Sequence, residues 1–330
     1  MRCLAETYDV ALLDLDGVIY VGAGAVPHAA DALAESRRAG MRIAFVTNNA
    51  SRPPSAVAEH LTSLGVPAAA DEVVTSAQAA ARMLAEMLQP GSRVLVVGGE
   101  GLVEALEEQG LTPVFEVSEE PAAVAQGFHP DVGWRMLAEA AYAIATGVPW
   151  VASNVDMTIP RPQGRAPGNG ALVEALRLTT GATPLVAGKP EPPMHREAVL
   201  RTGARRPLVV GDRLDTDIEG AYRGGADSLL VLTGVTEPEQ LPTAEVRHRP
   251  TYVAEDLRAL LAQPSDAAII AGRARYPSWT ADLRDGRLVV EPVEGTEPRR
   301  IDALRAICGL CWGMDEEPAG IGEALRKAGW

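Results

Sequence analysis

Asp9-Val-Ala-Leu-Leu-Asp-Leu-Asp-Gly-Val-Ile-Tyr20 is the stretch whose reading decides the fold. Val10 to Leu13 is a continuous apolar run without a helical period, the pattern of a strand buried on both faces of a parallel sheet. It ends in Asp14 and Asp16, whose burial would be costly. Open α/β sheets relieve that cost by presenting such groups to a crevice at the carboxyl ends of their strands. Gly17 frees the backbone to turn sharply at that point. Alone, an Asp-x-Asp pair is more often an Asx-rich turn than a site, so the rest of the chain has to decide.

Outward from this strand, the chain alternates. Ala29 to Ala39 has helical spacing and is closed by Gly40; Met41 to Val46 is a second apolar strand, ending in Thr47-Asn48-Asn49-Ala50-Ser51. Val57 to Leu64 is a helix, and Glu72-Val-Val-Thr-Ser76 runs into an Ala-rich helix from Ala77 to Leu88. Arg93 to Val97 then opens a second α/β unit that continues through Trp150 to Ala152, with Pro160 to Asn169 read as a loop. Leu185 to Ala187 and Pro207 to Val210 read as further strands, ending in Gly188-Lys189-Pro190 and Gly211-Asp212-Arg213-Leu214-Asp215-Thr216-Asp217. The alternation stops near Gln263, and the tail reads as a hairpin around Asp285-Gly286 followed by two helices. The expected architecture is α/β: a Rossmann-like doubly wound parallel sheet with an inserted α/β domain and a short α+β C-terminal extension.

The chain has 330 residues and a formal net charge of -14, which argues against nucleic-acid or acidic-membrane partners because both need basic patches. Its three cysteines, Cys3, Cys308 and Cys311, form no framework and fit a reducing cytoplasm. Neither a signal peptide nor a membrane-spanning run is expected.

Four strand ends thus offer polar groups: Asp14 and Asp16, Thr47 to Asn49, Lys189, and Asp212 with Asp217. In a parallel sheet these ends share one edge and can converge. The inventory suits phosphoryl transfer with a hard cation. Carboxylates and a backbone carbonyl are the ligands Mg²⁺ takes, while Thr47, Asn48 and Asn49 can donate to phosphoryl oxygens and Lys189 supplies a point charge. A carboxylate is a competent nucleophile toward phosphorus, and Asp16 is placed to protonate the leaving alkoxide and later activate water.

Asp14-Leu-Asp16-Gly-Val, Val46-Thr-Asn-Asn-Ala-Ser51, Gly188-Lys189-Pro and Val210-Gly-Asp-Arg-Leu-Asp-Thr-Asp-Ile218 resemble the four ordered motifs of the haloacid dehalogenase-type phosphatases. More narrowly, they are similar to the NagD/4-nitrophenyl phosphatase branch, which carries a large α/β cap between the second and third motifs. The resemblance implies a core at 1–78 and 184–262, a substrate-selecting cap at 79–183, and an extension of unassigned role at 263–330. It implies Asp14 as nucleophile and Mg²⁺ ligand, Asp16 as acid/base and carbonyl ligand, Asp212 as third ligand, and Asp217 in support of the metal. It also implies that Thr47 and Asn48 hold the phosphoryl group and that Lys189 bridges it to the nucleophile.

In the cap, Ser153-Asn154-Val-Asp156-Met-Thr158-Ile159-Pro160 and Pro167-Gly168-Asn169-Gly170 look like the segments facing the site. Thr158-Ile159 stands where pyridoxal-phosphate-specific members have an aromatic-His pair, and the run is most similar to bacterial glycerol-3-phosphate phosphatases of this branch. The implied partner is a small phosphorylated metabolite, with glycerol 3-phosphate ahead of phosphoglycolate and other monoesters, and cap-to-cap homodimers are common in similar proteins. A phosphotransferase using the same intermediate and a non-catalytic phosphate sensor are the competing readings.

Other features have plainer readings. Gly98-Gly99-Glu-Gly101 suits tight packing at a βα turn, and Cys308-Gly-Leu-Cys311 suits a core-facing helix. Arg52 and Arg213 could steer phosphate or form ion pairs; Asp215 could approach the metal or cap the next helix.

Overall fold

The computed structural model describes residues 2–22, 24–161, 163–265, 268–270 and 272–330, with the backbone alone at 160, 161 and 268–270. Val10–Leu13 is fully buried and sits mid-sheet, pairing in parallel with Pro207–Gly211 on one side and Arg42–Thr47 on the other. The six-stranded sheet runs Tyr252–Ala254, Asp227–Val231, Pro207–Gly211, Val10–Leu13, Arg42–Thr47, Val73–Thr75, every pair parallel. Leu13 lies opposite Val210 and Phe45, so Asp14, Asp212 and Thr47 emerge together at one edge. The chain departs from the first strand in one direction and returns to its other side after the insert. That makes its carboxyl end the switch point where doubly wound folds bind ligands.

The insert forms a second parallel sheet, ordered Leu185–Val186, Trp150–Ala152, Ala123–Gln126, Arg93–Val97, Thr112–Val114. Helix Ser76–Met87 leads into it, starting from a capping box in which Thr75 Oγ1 accepts from the Gln78 N–H and Gln78 Oε1 accepts from the Thr75 N–H. Its alanine-rich face lets the two domains approach closely. Val10, Leu12 and Val46 of the core, Ala77 to Leu84 of this helix, and Val94, Val96 and Leu102 of the insert share one continuous apolar cluster.

Three expectations are corrected. Leu185–Val186 does not join the core sheet; it pairs with Val151 and Ala152 of the insert, so Lys189 arrives from a returning linker rather than from a core strand end. The segment expected as a loop over Pro160 to Asn169 contains an antiparallel hairpin, Thr158–Arg161 with Gly164–Pro167; Pro162 lies outside the described residues. Prolines survive there because a two-stranded ribbon consists only of edge strands. The tail has two further short strands, Ala268–Ile270 and Arg273–Arg275, which complete a four-stranded antiparallel sheet with Trp279–Arg284 and Arg287–Pro292. Three-residue strands carry too little alternation to announce themselves.

Helices Arg300–Cys311 and Ile321–Ala328 cover this sheet, and the resulting core extends to Ile218, Leu230, Leu241 and Val253 of the first domain. Trp312 fastens the two, its Nε1–H donating to Leu241 O at 2.9 Å. Trp330 donates instead to Arg300 O inside the extension, and Trp279 packs in the shared core. Cys308 and Cys311 are buried free thiols whose ionisation is suppressed by that burial, as a packing role requires. Among the described residues no helix is long and apolar enough to cross a membrane.

Candidate active site

Lys189 organises the site. Its ammonium donates to Asp14 Oδ1 at 2.5 Å, Asp217 Oδ1 at 2.7 Å and Val46 O at 3.2 Å, which uses all three of its protons. Burial opposes its charge, but Asp14 and Asp217 outweigh that and hold the lysine protonated. Carboxylate oxygens of Asp14, Asp212 and Asp217 lie within 4.8 Å of one another. Gly211 and Gly17 permit this approach: a Cβ on Gly211 would sit 2.2 Å from the Asp217 Cβ, and one on Gly17, where φ is +81°, 2.3 Å from Asp212 Oδ2.

This cluster fits a hard cation. Asp212 Oδ2 accepts from the Val235 N–H at 2.6 Å, yet Asp212 Oδ1 is buried with no hydrogen-bond partner among the described residues. Burial, and next the Asp217 charge, push the Asp212 carboxyl up to about 6. Burial also pushes Asp14 up to about 8, against the Lys189 charge. Three facing carboxylates with one lysine leave negative charge that a divalent ion would offset.

Asp16 stands apart from the cluster. It bonds the Tyr20 hydroxyl, and burial raises its carboxyl pKa while the Lys189 and His60 charges oppose the shift. Tyr20 in turn packs edge-on against His60, ring centroids 5.5 Å apart.

The strand-end residues divide. Thr47 Oγ1 accepts from the Asn49 N–H at 3.1 Å, leaving its own proton free for an anion. Asn49 Oδ1 closes a turn by accepting from the Ser51 N–H and hydroxyl, both at 2.8 Å. Asn48 differs from the expected phosphate donor. Its Nδ2 donates to Asp156 Oδ2 at 3.2 Å and Lys189 O at 3.1 Å, and its Oδ1 accepts from the Lys189 N–H at 2.8 Å. Both amide protons are therefore engaged, and the side chain is a clasp joining the core, the cap segment and the lysine linker.

The cap residues divide as well. Asp156 reaches the core through Asn48; burial raises its pKa against that bond and the Arg213 charge. Asn154 donates to Asn48 O at 2.7 Å, and Asn169 donates to Asn154 O at 2.7 Å, so both are buried braces. Gly168 and Gly170 pack against them, where any Cβ would lie 2.1 Å from Asp156 O and 2.2 Å from Val155 O. Thr158 and Ile159 sit out on the hairpin. Asp215 does not join the acidic cluster; it forms a bidentate pair with Arg213 at 3.0 and 2.7 Å. The Gly99 and Gly101 turn is tightly packed as expected, against Ser51 O at the end of the second motif and Arg52 O just after it.

With this geometry in place, comparison with known proteins is informative. Residues 11–112 match the family described as haloacid dehalogenase-like hydrolase, and residues 186–260 match a second model of that kind. A D-glycerol 3-phosphate phosphatase of Mycobacterium tuberculosis is 48% identical over 290 residues, 88% of this chain and 80% of that protein. The chain belongs to the haloacid dehalogenase-like hydrolases. The crystal structure of a glycerol phosphate phosphatase from M. tuberculosis in complex with magnesium superposes with a TM-score of 0.88 at 42% identity, covering 100% of this chain and 99% of that one. A p-nitrophenyl phosphatase from Archaeoglobus fulgidus gives 0.71 at 32% identity, covering 77% of this chain and 98% of its own. That hydrolase is matched almost end to end by about three quarters of this chain.

Sequence reasoning missed one contributor to the haloacid dehalogenase-like site. Thr233 donates its hydroxyl to Gly17 O at 2.5 Å, and the Thr236 N–H donates to Asp212 O at 3.1 Å. A Cβ on Gly234 would overlap the Asp212 carboxylate. This Thr233 to Thr236 loop follows the strand Asp227–Val231, so the strand-end rule that found the other motifs applied to it too.

Proposed function

We propose that this hydrolase is a Mg²⁺-dependent phosphatase that cleaves a small phosphate monoester of the glycerol 3-phosphate class through an aspartyl-phosphate on Asp14. The observation that carries the reading is the pairing of Asp14 with Lys189 beside the unpartnered Asp212 Oδ1. Phosphatases at 48% identity and at a TM-score of 0.88 support it.

Asp14, the Asp16 carbonyl and Asp212 would hold Mg²⁺, with Asp217 beside them. The bound ion supplies Lewis-acid neutralisation of phosphoryl and carboxylate charge. Lys189 holds the Asp14 carboxylate in place, and its charge opposes protonation of the group that attacks phosphorus. Thr47 and the Asn49 amide donate to phosphoryl oxygens as negative charge builds on them. Asp16, whose raised pKa favours the protonated form, gives its proton to the departing alkoxide oxygen. As carboxylate, it then takes a proton from the water that attacks the aspartyl-phosphate, and free phosphate leaves.

Substrate selection is assigned to the cap, whose Asp156 is bonded by Asn48 of the second motif. An anionic carboxylate there suits a substrate that offers hydroxyl donors beside its phosphate. The test compares kcat/KM for glycerol 3-phosphate, phosphoglycolate and pyridoxal phosphate with and without Mg²⁺. Preference for glycerol 3-phosphate is expected; a flat profile would mean a generalist, and metal-independent turnover would remove the mechanism.

A further inference from the structure

We propose that the cavity between the catalytic domain and the C-terminal extension is a second binding site, for a small organic anion with a flat apolar body. It encloses about 680 Å³. Small-molecule sites span roughly 300–1,000 Å³. One wall is the edge strand Tyr252–Ala254 of the main sheet and the other is the extension, including Tyr276, Pro277, Arg299, Arg305 and Trp312. Strands Pro207–Gly211 and Asp227–Val231 separate it from the strand that carries Asp14.

The charge in this cavity runs against the charge of the chain. The two carboxylates on its lining are already neutralised, Asp256 by Arg258 at 2.6 Å and Glu255 by Arg300 at 2.6 Å. Arg305 donates to Val253 O at 2.8 and 2.6 Å and to Ser265 Oγ at 3.3 Å. Its ion-pair partner among the described residues is Asp302 alone, at 3.4 Å, and Asp302 Oδ2 also accepts from the Ser278 hydroxyl at 2.8 Å. Arg299 lies close enough for its charge to act on Arg305, and among the described residues its guanidinium has no partner. Arg305 thus has one carboxylate partner, and Arg299 has none among the described residues, in a molecule whose net charge is -14. An anionic head between Arg299 and Arg305 would offset that excess, and the Tyr, Trp and Pro side chains of the lining suit a flat apolar body.

The probe is anilinonaphthalene sulfonate, a flat aromatic anion with no phosphoryl group to hydrolyse, beside its neutral counterpart phenylnaphthylamine. Binding to the full-length protein is read by fluorescence, with the active site free or saturated by Mg²⁺ and orthovanadate. Stoichiometric binding of the sulfonate that vanadate leaves unchanged is expected. The Arg299→Glu variant should raise its Kd by about tenfold or more, since reversing the charge beside a partly desolvated anion turns attraction into repulsion. The neutral dye should be insensitive to that change. Arg299 is exposed and its guanidinium has no partner among the described residues, so the variant should keep its fold and its phosphatase turnover, which serve as controls. An unchanged Kd in Arg299→Glu, displacement by vanadate, or equal binding of both dyes would each overturn the proposal.

Discussion

The Asn48 amide donates to the Asp156 carboxylate across 3.2 Å, and through this contact the cap is joined to the loop that follows the second core strand. The same side chain bonds the Lys189 backbone at both N–H and carbonyl. Asn48→Ala should therefore let Lys189 and the cap segment drift without touching the reacting atoms. A loss of roughly 10–100-fold in kcat/KM is expected, the range typical of groups that orient ligands from behind. Asp156→Asn keeps an oxygen for Asn48 to bond and should cost less in turnover while altering the preference among phosphate esters. Steady-state kinetics on both variants check this; full activity in Asn48→Ala would show that the clasp carries nothing.

Asp14 and Asp16 are given separable jobs, and 4-nitrophenyl phosphate separates them. Its leaving group departs without a proton, so Asp16→Asn should still form the phosphoenzyme and then stall at hydrolysis, with a burst of nitrophenolate. The steady state should fall by roughly 10²–10⁴. Asp14→Asn should give neither burst nor acid-stable label, because no carboxylate remains to accept phosphorus. Rapid-quench measurements decide between the two roles, and a burst in Asp14→Asn would reassign the nucleophile.

Cation binding should release protons. The Asp14 carboxyl is pushed up to about 8 and that of Asp212 to about 6 while the cluster is unneutralised. Both bind a cation only as carboxylates, so protons compete below these values. Mg²⁺ affinity should rise as pH increases from about 6 to about 8, by up to tenfold per pH unit where one proton is displaced, and level off above. Titration calorimetry in buffers of differing protonation enthalpy reads the released protons directly. Affinity independent of pH over this window would contradict the raised values.

Much of the core was legible because its signals are local. Val10 to Leu13 and Ile43 to Val46 are uninterrupted apolar runs that end in polar clusters, so strand direction and site edge follow together. Lys189 was legible as a functional residue but not in its placement. Leu185–Val186 is too short to reveal which of two parallel sheets it joins, and only register with Val151 and Ala152 settles it. Asn48 was misjudged for another reason. Amide donors beside a phosphate site read as phosphate ligands, whereas the partners that consume both protons, Asp156 and the Lys189 carbonyl, lie more than a hundred residues away in sequence. The Arg299 and Arg305 cavity gave no sequence signal, since its walls come from two units that meet only after folding.

Glu197 offers a test of how the cap is held. Its carboxylate is fully buried on helix Pro192–Thr202 and is bonded by Arg82 of helix Ser76–Met87 and by Arg201 at 2.5 Å. Arg201 continues to Glu108 of the cap helix Glu100–Glu108 at 2.9 Å. Glu197→Gln removes the charge common to both arginines while keeping the volume, and the arginines are exposed enough to recover some hydration. A loss of about 1.5–3 kcal/mol in unfolding free energy is expected, the scale of hydrogen bonds to charged groups. Denaturant melts measure it, and hydrogen exchange should quicken in the Glu100–Glu108 helix, which Arg201 links to this network through Glu108. Turnover per folded molecule should be preserved because Lys189 and the acidic cluster are untouched. A variant equally stable but slow would instead place Glu197 in the line of control from the cap to the site.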